Sequence, residues 1–194
     1  MTVQNCFLIA GLGNPGRAYE NTRHNAGFLA VDRLAAANDI PIQKQKFNVL
    51  FNVGRIGGHR VLLAKPQNYM NRSGPPLYAL ANFYKIPLQA MIVVHDDIDL
   101  AFERLKIKEK GGDGGHKGIR SIINAFGADQ FVRVRMGVGR PEGEIDVVGH
   151  VLDAFTPLEK QALDKLLERT CEAVVTVLTK GILEGMNRFN RIPH

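Results

Sequence analysis

The sequence predicts an α/β protein in which one mixed, mostly parallel sheet carries helices on both faces, as a single three-layer domain. Apolar runs of strand length alternate along the chain with longer segments in which apolar residues recur at helical spacing. Polar, glycine-rich stretches follow several of the strands, and open α/β sheets place ligand sites at such strand ends. With 194 residues, 45% of them hydrophobic, the chain can bury a full core, so we expect one domain over residues 1–194.

Glycine, proline and polar residues delimit the elements of the first half. Predicted strands lie at residues 7–10, 47–53 and 61–64, and predicted helices at 26–38 and 77–84. The first strand stops at Gly11, and the first helix ends before Pro41. Gly57 and Gly58 predict a hairpin turn, and Ser73 is expected to cap the second helix.

The second half continues the same alternation. Predicted strands lie at residues 90–95, 104–108 and 131–138, and predicted helices at 119–126 and 156–180, with a short last helix within 182–194. Gly127 is expected just beyond the end of the first of these helices. Thr156 and Glu159 form a capping box around Pro157 at the start of the longest helix, which ends at Gly181.

The first loop contains a pattern that resembles a dinucleotide-binding fingerprint. The spacing G-x-G-x-x-G is spelled by Gly11, Gly13 and Gly16. That fingerprint requires a helix to open inside the glycines, whereas Pro15 interrupts them and residues 17–25 lack a helical period. The acidic candidates for a ribose contact, Asp32 and Asp39, fall in or beside a helix instead of at a strand end. We therefore interpret this loop as a site of another kind.

The net charge of +6 and the sequence pI of about 9.5 favour a polyanionic partner, although a basic enzyme that binds no nucleic acid would have the same charge. The distribution is more informative, because nine of the 25 basic residues lie between positions 104 and 140 and only Glu109, Asp113 and Asp129 oppose them. These nine are Arg104, Lys106, Lys108, Lys110, Lys117, Arg120, Arg133, Arg135 and Arg140. We expect a phosphate backbone to bind along this stretch.

The sequence gives no indication of a membrane or an export route. No apolar run reaches the roughly 18–20 residues of a membrane span, and the first residues lack a basic stretch followed by a long apolar one. Cys6 and Cys171 form no C-x-x-C pair, so we expect two reduced cysteines in the core. The expected location is the cytoplasm.

Three strands are followed by loops with chemically useful side chains, at residues 14–24, 68–71 and 96–99. A glycine-rich loop at 111–118 precedes a helix. If these loops converge, they bring one histidine, a carboxylate and several amides beside a basic rim. A single loop histidine is also common without a function, and acidic residues at a strand end also serve as caps. Hard cations need several converging oxygens, so we predict no metal site.

Five stretches resemble, in order, the signatures of the bacterial-type peptidyl-tRNA hydrolase family: GLGNPGRAYENTRHNAGF, KPQNYMNRSG, VVHDDIDL, GGDGGHKGIRSI and RVRMGVGRP. The tail GMNRFN also resembles the C-terminal end of that family. The resemblance implies an enzyme that cleaves the ester joining a peptide to the 3′ end of tRNA and so recycles tRNA. It further implies a monomer that needs no cofactor and no metal.

The resemblance assigns the reaction to two residues. His24 matches the catalytic histidine, and an imidazole titrates near neutrality and can take a proton from water. Asp96 matches the carboxylate that supports it by accepting the imidazole N–H. Asn14 matches the position that distinguishes blocked from free amino groups. Without the resemblance, His24 could equally be a loop histidine with no function, Asp96 a strand cap and Asn14 a turn asparagine.

The resemblance assigns tRNA contacts to five further residues. Asn71 matches an amide that binds the peptidyl-tRNA end, and Tyr19 and Tyr69 match positions that contact the single-stranded CCA end, where aromatic faces suit unpaired bases. Lys108 and Arg135 match basic positions on the phosphates of the acceptor stem. Without the resemblance, a solvated strand face explains these two basic residues as well.

The chain departs from the family pattern near the substrate. Lys117 stands where the family usually has a substrate-binding asparagine, and a lysine there could meet a phosphate or carbonyl oxygen. Asp113 replaces a residue that is often histidine, and Asn68 and Arg72 replace the usual threonine and leucine. Two other functions stay open: a non-catalytic RNA-binding relative, and a small-molecule hydrolase for which the basic stretch is irrelevant.

Overall fold

The protein is described by a computed structural model over residues 6–141 and 146–191. Seven strands in these ranges form one sheet in the order β2-β3-β4-β1-β5-β7-β6. The strands are β1 (Cys6–Gly11), β2 (Lys44–Lys46), β3 (Val49–Ile56), β4 (His59–Pro66), β5 (Met91–Asp97), β6 (Leu105–Lys108) and β7 (Val132–Gly137). The central strands β4, β1, β5 and β7 are parallel, β3 and β6 run opposite to them, and β2 runs opposite to β3. Five strands thus share one direction, which confirms the predicted mixed, mostly parallel sheet.

Helices cover both faces of the sheet, as predicted. They are α1 (Ala26–Ala37), α2 (Gly74–Phe83), α3 (Lys117–Phe126), α4 (Val147–Leu152), α5 (Pro157–Lys180) and α6 (Ile182–Phe189). One core forms where α1, α5 and α6 pack on the sheet, and a second core forms under α2 and α3. Each buried strand alternates its side chains between the two cores, as Leu8 and Ile9 do in β1. None of the helices in the described ranges is both long and apolar enough to cross a membrane.

Most predicted element boundaries lie within a few residues of the observed ones, including the end of α3 and the start of α5. Gly127 adopts the left-handed conformation after α3, with φ of 70°. Thr156 accepts a hydrogen bond from the N–H of Glu159, whose carboxylate accepts the Thr156 N–H in return, so the capping box is formed. Cys6 and Cys171 are both free and partly buried.

Several local predictions are wrong. Phe47 and Asn48 have φ of 50° and 59° and form the turn between β2 and β3, so β3 starts at Val49. The hydroxyl of Ser73 does not cap α2 but donates to the carbonyl of Met70, since a short 3₁₀ turn precedes the helix. Asp96 and its neighbour belong to β5 instead of to a loop after it. The exposed strand β2 has no apolar pattern from which to predict it. The helix α4, with the sequence VVGHVL, has apolar residues at helical spacing, but sequence reasoning overlooked it.

The start of α1 lies unusually close to the carboxyl ends of β1 and β5. The N–H of Phe28 donates to the carbonyl of Leu12, which follows β1, and the N–H of Leu12 donates to the carbonyl of Val94 in β5. A Cβ atom on Gly27 would lie 2.3 Å from the oxygen of Val94 and 2.5 Å from the nitrogen of Leu12. Only glycine permits this approach, which holds the segment before α1 against the end of β5.

Replacement of Gly27 by alanine should therefore lower the free energy of unfolding by about 1–3 kcal/mol, the usual cost of overpacking. The matched control is Gly112→Ala, because a Cβ atom at Gly112 meets nothing within 4 Å. Urea unfolding followed by circular dichroism measures both changes. Equal stabilities for the two variants would contradict the close approach at Gly27.

Candidate active site

A cavity of about 620 Å³ opens at the carboxyl end of the parallel strands. It is lined by eight of the nine residues that the sequence singles out: Asn14, His24, Tyr69, Asn71, Asp96, Lys108, Lys117 and Arg135. The ninth, Tyr19, lies beside the cavity, with its ring edge-on to Tyr69 at 6.4 Å between centroids. The loops after β1, β4 and β5 and the glycine-rich loop before α3 therefore converge.

The centre of the cavity is Asp96, at the penultimate position of β5, where its carboxylate is only 2% exposed. The Nδ1 atom of His24 lies 2.9 and 3.0 Å from its two oxygens. Nε2 of His116 lies 2.9 Å from Oδ1 as well, and the rings of the two histidines are 5.2 Å apart between centroids. A buried carboxylate needs such partners, because each unpaired buried charge costs several kcal/mol.

Hydrogen bonds from the backbone determine which nitrogen of His116 carries the proton. Its Nδ1 atom accepts the N–H groups of Gly118 and Ile119, at 3.2 and 3.3 Å, and so caps α3. Nδ1 must therefore be unprotonated, and Nε2 carries the proton that is donated to Asp96. Sequence reasoning overlooked His116, although its place just before a helix marked it as a possible cap.

The same argument fixes the tautomer of His24. Its Nδ1–H donates to Asp96, so neutral His24 keeps its lone pair on Nε2. Burial lowers the pKa of His24, but the charge of Asp96 and the hydrogen bonds to it outweigh burial, so the pKa lies above its ordinary value of 6.5. Lys117 opposes this by lowering the pKa. Burial raises the pKa of Asp96. Coulombic attraction to His24 and His116 and their hydrogen bonds to the carboxylate lower this pKa by more, so it lies far below its usual range.

A third histidine, His95, supports the site from within the sheet. It is 4% exposed, and Nδ1 donates to the backbone carbonyl of Asp96 at 2.7 Å. Its ring meets the ring of His116 edge-on, at 4.6 Å between centroids. Burial and the nearby His116 hold the pKa of His95 well below its ordinary value, so it is neutral. From the sequence, His95 was counted as the last residue of a buried strand and was not singled out.

The side chain of Asn14 is held in a defined orientation. Its Oδ1 accepts the N–H of Met70 at 2.7 Å, while its backbone exchanges two hydrogen bonds with the side chain of Asn25. Because the donor to Oδ1 is a backbone N–H, the oxygen and nitrogen cannot be interchanged. The Nδ2 amino group therefore remains as the donor that Asn14 offers to the cavity.

The basic residues of β6 and β7 differ in availability. Arg135 forms an ion pair with the buried Asp97, and its positive charge is the main reason that the pKa of Lys108 is lowered. Arg133 is 3% exposed and donates to the carbonyls of Gly111 and Gly112. Arg133 belongs to the basic stretch expected to bind a phosphate backbone, but its guanidinium is used to anchor the glycine-rich loop that carries His116.

The cluster of His24, Asp96 and His116 brings three potential metal ligands within 4.8 Å of one another. Its hydrogen bonds do not suit a cation, since His116 has only the protonated Nε2 facing Asp96 and the other nitrogen is occupied by backbone donors. A metal would have to displace that proton. The donor set fits a hydrogen-bonded histidine–carboxylate–histidine cluster better than a metal centre.

An α/β fold with a histidine paired to a buried carboxylate, in a cavity at the carboxyl edge of its sheet, is typical of an enzyme that uses general acid–base catalysis. Residues 8–194 match the profile of the family described as peptidyl-tRNA hydrolase. The chain belongs to the peptidyl-tRNA hydrolase family, which confirms the resemblance found in its motifs.

Individual relatives agree with this assignment. The peptidyl-tRNA hydrolase of Caldanaerobacter subterraneus subsp. tengcongensis is 47% identical over 184 residues, which cover 95% of this chain and 99% of the relative. That of Chloroflexus aurantiacus is 47% identical over 185 residues, covering 95% and 98%. The crystal structure of peptidyl-tRNA hydrolase from Acinetobacter baumannii matches with a TM-score of 0.89 and 37% identity, covering 98% of this chain and 97% of that one.

The geometry predicts how His24 titrates. In the wild type, NMR titration of its imidazole should give a pKa above 6.5. In Asp96→Asn the raising influences are lost while burial and Lys117 remain, so the pKa should fall below 6.5. His59, which packs against Phe7 away from the cavity, is the internal control, and its signals should be the same in the two proteins. A His24 pKa that is the same in both proteins would contradict the pairing.

Proposed function

We propose that this protein hydrolyses the ester between the peptide and the tRNA of peptidyl-tRNA, with His24 as the general base. The observation that carries the proposal is the His24–Asp96 pair inside a cavity with a basic rim, in a chain of this family. The Nε2 lone pair of His24 takes a proton from a water molecule, which attacks the ester carbonyl. The imidazolium then gives its proton to the departing 3′ oxygen of the tRNA.

Asp96 acts on this cycle through His24. It holds the tautomer in which Nε2 is free, and its charge stabilises the imidazolium that forms when water is deprotonated. His116 keeps the carboxylate in place with its own N–H. The raised pKa of His24 predicts that the rate increases with pH through a value above 6.5, because the protonated imidazole cannot act as a base.

In this proposal, Asn14 and Asn71 donate hydrogen bonds to the acyl part of the substrate. The Nδ2 group of Asn14 can donate to the carbonyl oxygen of a peptide amide. A protonated free amino group is itself a donor and cannot accept a hydrogen bond from Nδ2. Asn71 is exposed at the rim, in the 3₁₀ turn after β4, and can donate to the oxyanion. The two amides thus favour N-acylated substrates and stabilise the tetrahedral intermediate.

The tRNA lies along the basic rim in this proposal. Tyr69 is 60% exposed and Tyr19 packs against it, so the pair offers aromatic surface to the bases of the CCA end. Lys108 and Arg135 contact phosphates of the acceptor stem, and Lys117 contacts the tRNA end. We further propose that residues 1–194 act as one domain, as a cytoplasmic monomer, without a cofactor.

Replacement of His24 by alanine should lower the rate of hydrolysis of N-acetyl-aminoacyl-tRNA by about 10²–10⁴-fold, the usual contribution of a general base. The assay measures release of the N-acetylated amino acid. His59→Ala, which removes a histidine outside the cavity, is the control and should keep the wild-type rate. Wild-type protein that binds tRNA but leaves the ester intact would exclude the proposed activity and favour a non-catalytic RNA-binding relative.

Replacement of Lys108 by methionine should weaken tRNA binding at low salt and reduce the slope of log affinity against log salt by about one. The reason is that each cation on a phosphate releases counterions from the nucleic acid. Lys165→Met removes the same charge from an exposed position on α5 and should leave the slope unchanged. Filter binding at several salt concentrations measures both, and identical slopes would argue against a phosphate contact at Lys108.

A further inference from the structure

We infer that the groove between α2 and α3 binds the phosphate of the 3′-terminal nucleotide of the tRNA, through Lys117 and Arg120. This inference rests on the proposed function and adds a second subsite to it. It is carried by a separate cavity, by two cations on one helix face, and by an acidic residue that fixes one of them.

The groove is a second cavity of about 450 Å³ beside the catalytic one. Its polar lining consists mainly of Asn71, Lys117, Arg120 and Asn124, and Pro75 of α2 forms part of its wall. Asn71 and Lys117 line both cavities. A ligand whose ester lies beside His24 can therefore extend past these two side chains into the groove.

The charges in the groove suit a single anion. Lys117 and Arg120 lie three positions apart in the first turns of α3, so they share one face of the helix. Two cations at this spacing repel each other, and Asp113 forms an ion pair with Arg120. The set of Lys117, Arg120 and Asp113 thus carries one net positive charge, which matches the single negative charge of a phosphodiester.

Arg120 is prepared for a second partner. Its Nε and Nη2 donate to the two oxygens of Asp113 at 3.0 and 3.2 Å, which fixes the guanidinium and leaves Nη1 without a partner in the described part of the chain. The ammonium of Lys117 likewise makes no ion pair there. Asp113 thus orients the guanidinium of Arg120, and Lys117 adds a second cation in the first turns of α3.

The position of the phosphate follows from the order of atoms in the substrate. The ester is on the ribose of the last nucleotide, and the phosphate of that nucleotide is attached to the same ribose. With the ester carbonyl at His24 and the ribose beside Asn71, the phosphate is placed between Lys117, which lines both cavities, and Arg120, which lines the groove alone. The bases further along the chain are left for the tyrosine pair on the rim.

The test is a double-mutant cycle on full-length substrate. One N-acetyl-aminoacyl-tRNA is natural, and the other has its terminal phosphodiester replaced by an uncharged methylphosphonate. Wild-type kcat/KM should fall about tenfold on the neutral substrate, mainly through KM, since a charge-assisted contact is lost. In Lys117→Met the natural substrate should already show this loss, and the neutral one should lose little more.

Three further variants sharpen the cycle. Lys117→Arg should restore the preference for the charged phosphate, Arg120→Gln should weaken it, and Lys160→Met, which removes an exposed charge on α5, should leave it at the wild-type level. Measurements at a pH well above the His24 pKa exclude the effect of Lys117 on the base. His24 faces the charges of Asp96 and Lys117 and the ring of His116, behind which His95 packs.

The possible outcomes separate the inference from the proposed function. Equal hydrolysis of both substrates by the wild type would overturn the subsite and leave the activity in place. A tenfold loss that persists unchanged in Lys117→Met would also overturn it, because the phosphate would then bind elsewhere. If the wild type hydrolyses neither substrate, the proposed function fails, and this inference fails with it.

Discussion

The buried charge of Asp96 is the constraint on which the site depends. It lies near the end of β5, 2% exposed, and is stable there because two imidazole N–H groups donate to it. Removal of one partner from such a buried ionic cluster typically costs about 3–5 kcal/mol. The partners come from segments 72 and 20 residues away in sequence. One carboxylate therefore couples the packing of two separate loops to the assembly of the candidate active site.

The two histidines on this carboxylate are chemically distinct although they share a partner. His116 is fixed by the backbone at the start of α3, so both of its nitrogens are used and its proton is structural. His24 uses one nitrogen and keeps the other for chemistry. Arg133 also has a structural role, because it donates to a backbone carbonyl of the loop that carries His116. The site thus separates a positioning half from a half that can react.

Most strands of the sheet and most residues that line the cavity could be predicted from the sequence, because local patterns indicate both. Apolar runs marked the buried strands, and polar residues at their ends marked the loops that converge. It could not reveal His116 or the buried role of Arg133, since both depend on contacts between distant segments. The exposed β2 has no apolar signal, and the turn at Phe47 needs a left-handed backbone that its residue type does not indicate. The roles of the site residues stay predictions.

The cavity as a whole offers donors and cations to a substrate. The carboxylates that line it within the described residues are Asp96, Asp97 and Asp113, and each is paired, with two histidines, with Arg135 and with Arg120 respectively. A ligand rich in carbonyl and phosphate oxygens meets partners throughout, whereas an ammonium group meets no free carboxylate. In the proposed reaction, discrimination against a free amino group is therefore a property of the whole electrostatic lining, and Asn14 acts within it instead of alone.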